Sequence, residues 1–207
     1  MKFTDEVRSL EELRELLPEP KPTTVQKIRP SLDPFSRQFI ERSPFCVIAS
    51  RNAQGAMDVS PKGDPPGFVR VLDDSTFAIP DRPGNGIADT LLNIIECPDV
   101  AVIFLAPGKG ETLRVNGRAR VVRDRDLLES LAHNGKTPVL ATVISVETVF
   151  FHCAKCIIRS GLWRPDDWRS VDDLPSLGKV LQGQLESDID SETLDARIQE
   201  SYRDKLY

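Results

Sequence analysis

The feature of this sequence that most limits its fold is a series of seven short β-rich runs between Phe45 and Cys153. The runs are FCVIAS, AMDVSP, FVRVL, TFAIP, VAVIFLA, TLRVNGRARVV and VLATVISVETVFFHC. Only two helical segments interrupt them, IADTLLNIIEC and RDLLESLAHNG, which are too few for a regular strand–helix–strand repeat. The pattern therefore predicts a mainly β fold, a closed or partly split antiparallel barrel with flanking helices.

Four turn segments separate neighbouring runs: RNAQG, DPPG, LDDS and APGKGE. Each contains Gly, Pro, Asn or Asp, the residues that tight turns favour. We expect these segments to form hairpins of an antiparallel sheet.

Helices are predicted at both ends of the chain. In the N-terminal segment 5–17, apolar residues recur at helical spacing, and Ser9 with Glu12 resembles a capping box. The proline-rich segment 18–34 predicts an extended arm, and PFSRQFIERS a second helix. Leu194, Ile198 and Tyr202 give the tail helix one apolar stripe, for which another subunit is a possible partner. The predicted organisation is a helix and arm over 1–32, a barrel domain over 33–170 and a helical tail over 171–207.

Composition excludes several classes of function. The net charge of -5 and the pI near 5.2 argue against nucleic-acid binding, which needs a concentrated basic face. No stretch approaches the roughly 20 apolar residues that cross a bilayer, and the first 17 residues are too acidic for a signal peptide. We expect a cytoplasmic protein with neither nucleic-acid nor membrane partners.

The four cysteines are too few and too unevenly spaced for a disulfide framework. We expect reduced thiols that are buried or line a site. Cys153 and Cys156 form a single CxxC with no second pair, so no structural zinc or other metal site is predicted. A redox dithiol is an alternative, which would require the pair to open a helix after a strand.

The stretch IPDRPGNGIADTLLNI has features of a phosphate site, although it contains neither a Walker loop nor a dinucleotide fingerprint. Arg82 offers a planar set of donors, Gly84 permits close backbone approach, Asn85 adds an amide, and a helix N-terminus follows. An ordinary turn that caps the next helix explains the same residues.

Three further segments concentrate polar groups. In MDVSPKGDPPGFV, Ser60 and Lys62 lie at a strand end. In ETLRVNGRARVV, alternation places Thr112, Arg114, Asn116 and Arg118 on one face, which could equally be a solvated exterior. In FFHCAKCIIRSGLW, a short stretch holds His152, Lys155, Arg159, Ser160 and Trp163.

Taken in order, SPKGDPPGF, AIPDRPGN with DTLLNI, GETLRVNGRA and VFFHCAKCIIRSGLW resemble the pyridoxamine 5'-phosphate oxidase-like flavin-binding proteins, specifically a bacterial subgroup of FMN-dependent enzymes. The resemblance covers residues 33–168. It implies an FMN-binding split antiparallel β-barrel that forms a homodimer, with two FMN sites at the interface and each site built from both chains.

The resemblance also assigns residues to the site. Ser60 and Lys62 would reach the flavin or its phosphate, and Arg82 and Asn85 would bind the phosphate and ribityl chain. Thr112 and Arg114 would approach the ring or its chain. Lys155, Arg159 and Trp163 would close the site, from the second subunit.

Two positions depart from the family pattern. Lys62 stands where arginine is usual and therefore lacks a bidentate fork. Ile87 follows the Gly-Asn pair where a basic residue is usual. We expect weaker phosphate binding as a result.

The function implied is an FMN-dependent oxidoreductase that transfers hydride through flavin N5, with a small-molecule substrate or a nicotinamide donor. The substrate and any general acid or base stay unassigned, and a deazaflavin could replace FMN. The alternatives are a flavin-binding carrier or sensor without turnover, and a haem-binding relative in which His152 or a cysteine ligates iron.

Overall fold

The computed structural model describes residues 1–84, 86–185 and 188–207, which form seven strands, eight α-helices and one 3-10 turn. The strands are β1 Phe45–Arg51, β2 Met57–Gly63, β3 Arg70–Val71, β4 Thr76–Pro80, β5 Asp99–Leu105, β6 Thr112–Val122 and β7 Ala141–His152. The helices are α1 Leu10–Leu16, α2 Pro22–Gln26, α3 Pro34–Arg42, α4 Asp89–Glu96, α5 Arg125–Ser130, α6 Lys155–Ser160, α7 Leu177–Gln184 and α8 Ser191–Asp204, with the 3-10 turn at Pro165–Asp167.

All seven strands belong to one antiparallel sheet with the order β2-β1-β5-β6-β7-β4-β3. Each corresponds to one of the seven β-rich runs, so the predicted mainly β fold with flanking helices is confirmed. Strands β2 and β3 are the two edge strands of the sheet. An ion pair between Asp64, just after β2, and Arg82, just after β4, connects the two edges of the sheet. The result is a split barrel, open between β2 and the β3–β4 pair.

Three of the four predicted hairpin turns are confirmed, and one is wrong. RNAQG, LDDS and APGKGE join strands that are hydrogen-bonded neighbours. DPPG instead connects β2 to β3, at opposite ends of the sheet. Its composition indicates a change of direction, but composition cannot distinguish a hairpin from a crossing of the split.

The barrel interior is filled by the inward-facing residues of the strands. The rings of Phe77 and Phe104, both fully buried, meet edge to face with centroids 5.6 Å apart. Helix α3 adds buried Ile40 to this core. The capping box of Asp33 and Ser36 sets the start of α3, because each side chain accepts from the backbone N–H of the other.

The terminal segments differ from the predictions in three ways. Helix α1 begins only after Ser9, whose hydroxyl accepts from the Glu12 N–H, so the predicted start at Asp5 is wrong. The arm contains the short helix α2. Helix α7 was not predicted, and α8 packs against it through a hydrogen bond of 2.7 Å from the Gly178 N–H to Asp195 Oδ1. A helix of the same chain therefore covers part of α8.

None of the helices in the described part of the chain combines the length and apolar character that spanning a bilayer requires.

Candidate functional site

A cleft of about 400 Å³ lies where the barrel is split, between β2 and the segment that links β4 to α4. Strand β2 contributes Asp58, Ser60 and Lys62, which face the same side of the sheet as the buried residues opposite them on β1. The other wall includes Arg82. The fold thus brings Ser60, Lys62 and Arg82 together, although Arg82 is twenty residues from Lys62 in sequence.

An ion pair at the base of the cleft fixes Arg82. Its Nε donates to Asp64 Oδ2 at 2.7 Å, and its Nη2 donates to the Leu131 carbonyl at 3.0 Å. The side chains of Arg82 and Asp64 are only 15% and 1% exposed. A buried pair of this kind is held firmly, because either charge alone would be desolvated without compensation.

The N-terminus of α4 opens towards the same cleft. Residues Gly86, Ala88 and Asp89 line it, and Ala88 at the N-cap has a positive φ of 62°. Alanine has no side-chain acceptor, so it cannot cap the first N–H groups of the helix. Such a helix start favours an anion beside it.

Acidic groups limit the positive charge of the cleft. Asp58 accepts a hydrogen bond of 3.0 Å from the Thr90 hydroxyl, and Asp81 and Asp89 also lie on the lining. Because Asp64 already pairs with Arg82, Lys62 is the lining cation without an acidic partner among the described salt bridges. An anion bound here would depend strongly on Lys62.

The remaining predicted residues form a second group at the start of β6 and around α6. Arg114 lies over the Phe150 ring, with its guanidinium carbon 5.2 Å from the ring centroid. Trp163 donates from Nε1 to the Lys109 carbonyl at 2.6 Å, and Lys155 and Arg159 lie exposed on α6. Thr112 is only 3% exposed, so the alternative interpretation of this face of β6 as a solvated exterior does not hold at this position.

Within one chain, the cleft residues and the residues around β6 and α6 do not form a single site. Arg114 lies in a cross-strand row with Ile103, Val47 and Pro61, whereas Lys62 lies in the adjacent row. Adjacent rows face opposite sides of the sheet, and β6 is three strands from β2, about 15 Å at the usual strand spacing. Arg114 and Lys62 therefore address different sides of the same sheet.

Two positions singled out in the sequence have different outcomes. Asn85 lies outside the described residues. Ile87 lies on the cleft lining and is 58% exposed. An apolar side chain thus lies beside the start of α4, where the resemblance led us to expect a base.

The thiols divide into a buried pair and an exposed pair. Cys46 and Cys97 are buried, and burial raises the pKa of Cys46 to about 12 although Lys62 lies opposite it. Cys153 and Cys156 are free and exposed. The burial that the sequence led us to expect is therefore not found for these two thiols. The exposed pair lies at the junction between β7 and α6, which is the strand-to-helix position that a redox dithiol requires.

Sequence reasoning missed the residues that hold Arg82. Asp64 lies within the quoted motif SPKGDPPGF, and a carboxylate next to a proposed phosphate site was the available signal. Tyr207 donates to Asp64 Oδ1 at 2.5 Å across 143 residues of sequence, and no local pattern indicates such a contact.

Several solved structures are similar to this chain. HupZ of Group A Streptococcus is 20% identical, with 58% of this chain and 93% of that one covered at a TM-score of 0.48. A protein of Clostridium acetobutylicum related to general stress protein 26, of the pyridoxinephosphate oxidase family, is 14% identical, with 57% and 86% covered at 0.44. An FMN-binding protein of Syntrophomonas wolfei is 11% identical, with 69% and 95% covered at 0.44.

The comparison with protein families gives the firmer result. A search of curated proteins found no match. The model of the family described as pyridoxamine 5'-phosphate oxidase matches residues 32–153, more than half of the chain. This match includes the seven strands of the barrel and the cleft at its split. The chain belongs to the pyridoxamine 5'-phosphate oxidase family.

Proposed function

We propose that the cleft at the split of the barrel binds FMN and that the chain is an FMN-dependent oxidoreductase acting on a small molecule. The observation that carries the proposal is the convergence of Ser60, Lys62 and Arg82 on the start of α4, where the N-cap residue Ala88 has no capping side chain. A doubly charged phosphate is suited by cationic donors and by the N-terminus of a helix.

The basic and hydroxyl side chains of the cleft are of the types that bind the phosphate of FMN, but nearby acidic groups offset the positive charge. Lys62 supplies a point charge, and Arg82 supplies oriented N–H donors while Asp64 neutralises it. Ser60 adds a hydroxyl. With Asp81 and Asp89 nearby, we expect FMN to be exchangeable rather than permanently retained.

Bound FMN would supply hydride transfer through its N5 atom. The protein's part is to bind and orient it. Lys62 and Arg82 hold the phosphate end, and the half-buried indole of Trp163, contributed by a second copy of the chain, provides a flat apolar surface for the ring. The identity of the substrate is not implied by these residues.

Turnover tests the enzymatic part of the proposal. The purified protein, loaded with FMN and kept anaerobic, is titrated with NADH and NADPH and then exposed to an electron acceptor. We expect the flavin absorbance to bleach and recover over repeated cycles at a rate above that of free FMN. Failure of both nucleotides to reduce bound flavin faster than free flavin would count against a nicotinamide-linked enzyme.

We also propose that two copies complete each site. Alternate residues of β2, β1 and β5 form an apolar surface, here called the outer sheet face: Met57, Val59, Pro61, Phe45, Val47, Ala49, Ala101, Ile103 and Leu105. Met57 and Val59 are 67% and 63% exposed, although large apolar patches are uncommon on a monomer. Arg114 borders this face, so a second copy seated on it would bring its own Arg114 towards the first copy's β2.

A charge on the outer sheet face is expected to separate the two copies. Val47 lies in the middle of the face, and Val47→Glu would bury a carboxylate in the interface. Light scattering is expected to give about twice 23.1 kDa for the wild type and about 23.1 kDa for the variant, which should also lose FMN binding. Val171→Glu, at an exposed valine elsewhere, is the matched control and should remain dimeric. A monomeric wild type that binds FMN would contradict the shared site.

A second function, flavin binding without turnover, is favoured by the composition of the lining. The described lining residues of the cleft include no histidine, cysteine or tyrosine that could act as a proton donor beside the ring. Bound FMN that undergoes no catalysed cycling in the anaerobic titration would support this alternative. A haem absorbance band after reconstitution would instead support ligation by the exposed His152.

A further inference from the structure

The Asp64 carboxylate is buried between two donors from distant parts of the chain. Oδ2 accepts from Arg82 Nε at 2.7 Å, and Oδ1 accepts from the Tyr207 hydroxyl at 2.5 Å. With a side chain only 1% exposed, Asp64 depends on these partners for the hydrogen bonds that water would otherwise supply. Each oxygen of the carboxylate is therefore fixed in direction.

The Tyr207 ring also contacts the guanidinium directly. The Arg82 guanidinium carbon lies 5.6 Å from the Tyr207 ring centroid, a cation–π distance. The Tyr207 ring centroid also lies 5.0 Å from the ring centroid of His133. Tyr207, Arg82 and Lys136 also line a small pocket of about 190 Å³ next to the cleft.

Together these contacts hold Arg82 from three directions. Asp64 and the Leu131 carbonyl take two of the five N–H donors of the guanidinium, and the guanidinium carbon lies over the Tyr207 ring. Arg82 lines both the cleft and the small pocket, as do its neighbours Asp81 and Pro83. Its orientation towards the cleft is thus set by residues that lie outside the cleft.

We infer that Tyr207 is a positioning residue of the phosphate site, which fixes Asp64 and through it the guanidinium that meets the phosphate. This inference rests on the proposed function. Without the Tyr207 hydroxyl, the Asp64 carboxylate can rotate and Arg82 can follow it. Binding then includes the cost of ordering a flexible arginine, which a preorganised site avoids.

The test uses Tyr207→Phe, which keeps the ring and removes only the hydroxyl. We expect the Kd of FMN to rise by about tenfold, the scale of one lost hydrogen bond to a charged group, while the Kd of riboflavin stays within about twofold. Riboflavin lacks the phosphate, so the ratio of the two constants isolates the phosphate end. A general loosening of the fold would weaken both ligands alike.

Tyr202→Phe is the matched control, because Tyr202 and Tyr207 are the two tyrosines of the chain and Tyr202 is 56% exposed on α8. The Kd values of this variant for FMN and riboflavin should equal those of the wild type. An unchanged FMN constant in Tyr207→Phe, or equal losses for FMN and riboflavin, would overturn the inference while leaving FMN binding intact. A wild type that binds neither flavin would overturn both the inference and the proposed function.

A titration of tyrosinate absorbance provides a readout that needs no flavin. Donation to Asp64, burial and the charge of Asp64 raise the pKa of Tyr207, and Arg82 lowers it in part. Further titratable neighbours are His133, whose ring Tyr207 contacts, and Asp81 and Lys136 in the same small pocket. One of the two tyrosines should therefore ionise above the ordinary range, and Tyr207→Phe should abolish that phase. If both tyrosines of the wild type ionise together in the ordinary range, the contact on which the inference depends is absent.

Discussion

Arg82→Gln is expected to destabilise the fold by about 3–5 kcal/mol, in addition to weakening FMN binding by at least about a hundredfold. The substitution removes the cation from a pair in which Asp64 is 1% exposed, so a carboxylate is left buried with only the Tyr207 hydroxyl and no compensating charge. The free energy of unfolding, measured by urea denaturation with and without FMN, gives both quantities. The free energy of unfolding measured without FMN gives the loss of fold stability alone.

Two further variants separate the ion pair from other effects of the substitution. Asp64→Asn combined with Arg82→Gln removes both charges and should recover more than half of the lost stability, because neither partner is then an unpaired charge. Arg51→Gln breaks the Arg51–Asp99 pair, where both side chains are more than 40% exposed, and should cost under about 1 kcal/mol. An Arg82→Gln protein as stable as Arg51→Gln would show that the buried pair is not a structural element.

Gly117→Ala is expected to destabilise the protein by about 3 kcal/mol or more, because its Cβ would lie 2.0 Å from the Ser145 carbonyl oxygen. The obstacle is backbone of the neighbouring strand, which cannot rotate away as a side chain could. Gly117 lies at the bulge where the register of β6 and β7 shifts, next to Asn116. Separation of these strands would open the centre of the barrel, and thermal unfolding measures the loss.

Gly63→Ala is the comparison in the same sheet. Its Cβ would lie 3.5 Å from its nearest neighbours, at ordinary contact distance, so the change should cost under about 1 kcal/mol. A similar loss for the two variants would mean that strand propensity, not the close approach at Gly117, determines the effect.

The sheet was largely predictable from the sequence, because β-branched runs and turn residues are local signals. TLRVNGRARVV coincides with β6 from Thr112 to Val122. The order of the strands was less predictable: DPPG has the composition of a hairpin turn but crosses the split, since strand order is fixed by packing of the whole barrel. Helix α7 was missed because its position depends on α8, through the contact of Gly178 with Asp195.

Part of the candidate site was predictable, from local residue patterns and from the family resemblance together. Ser60, Lys62 and Arg82 could be named in advance, and the structure places them around one cleft. The contacts of Arg82 were not predicted, because Asp64 and Tyr207 are 18 and 125 residues away from it and meet it only in the folded chain. Thr112, at the start of β6 opposite His152, is buried, which strand alternation alone does not reveal.

Identification of the native cofactor tests the central claim, FMN binding at the split of the barrel, most directly. Absorbance and mass analysis of the purified protein, followed by titration with FMN, should give a flavin spectrum and a final stoichiometry of one FMN per chain. Lys62→Gln should weaken that binding for FMN more than for riboflavin, since Lys62 faces the cleft. A protein that carries no flavin and acquires none from added FMN would contradict the account.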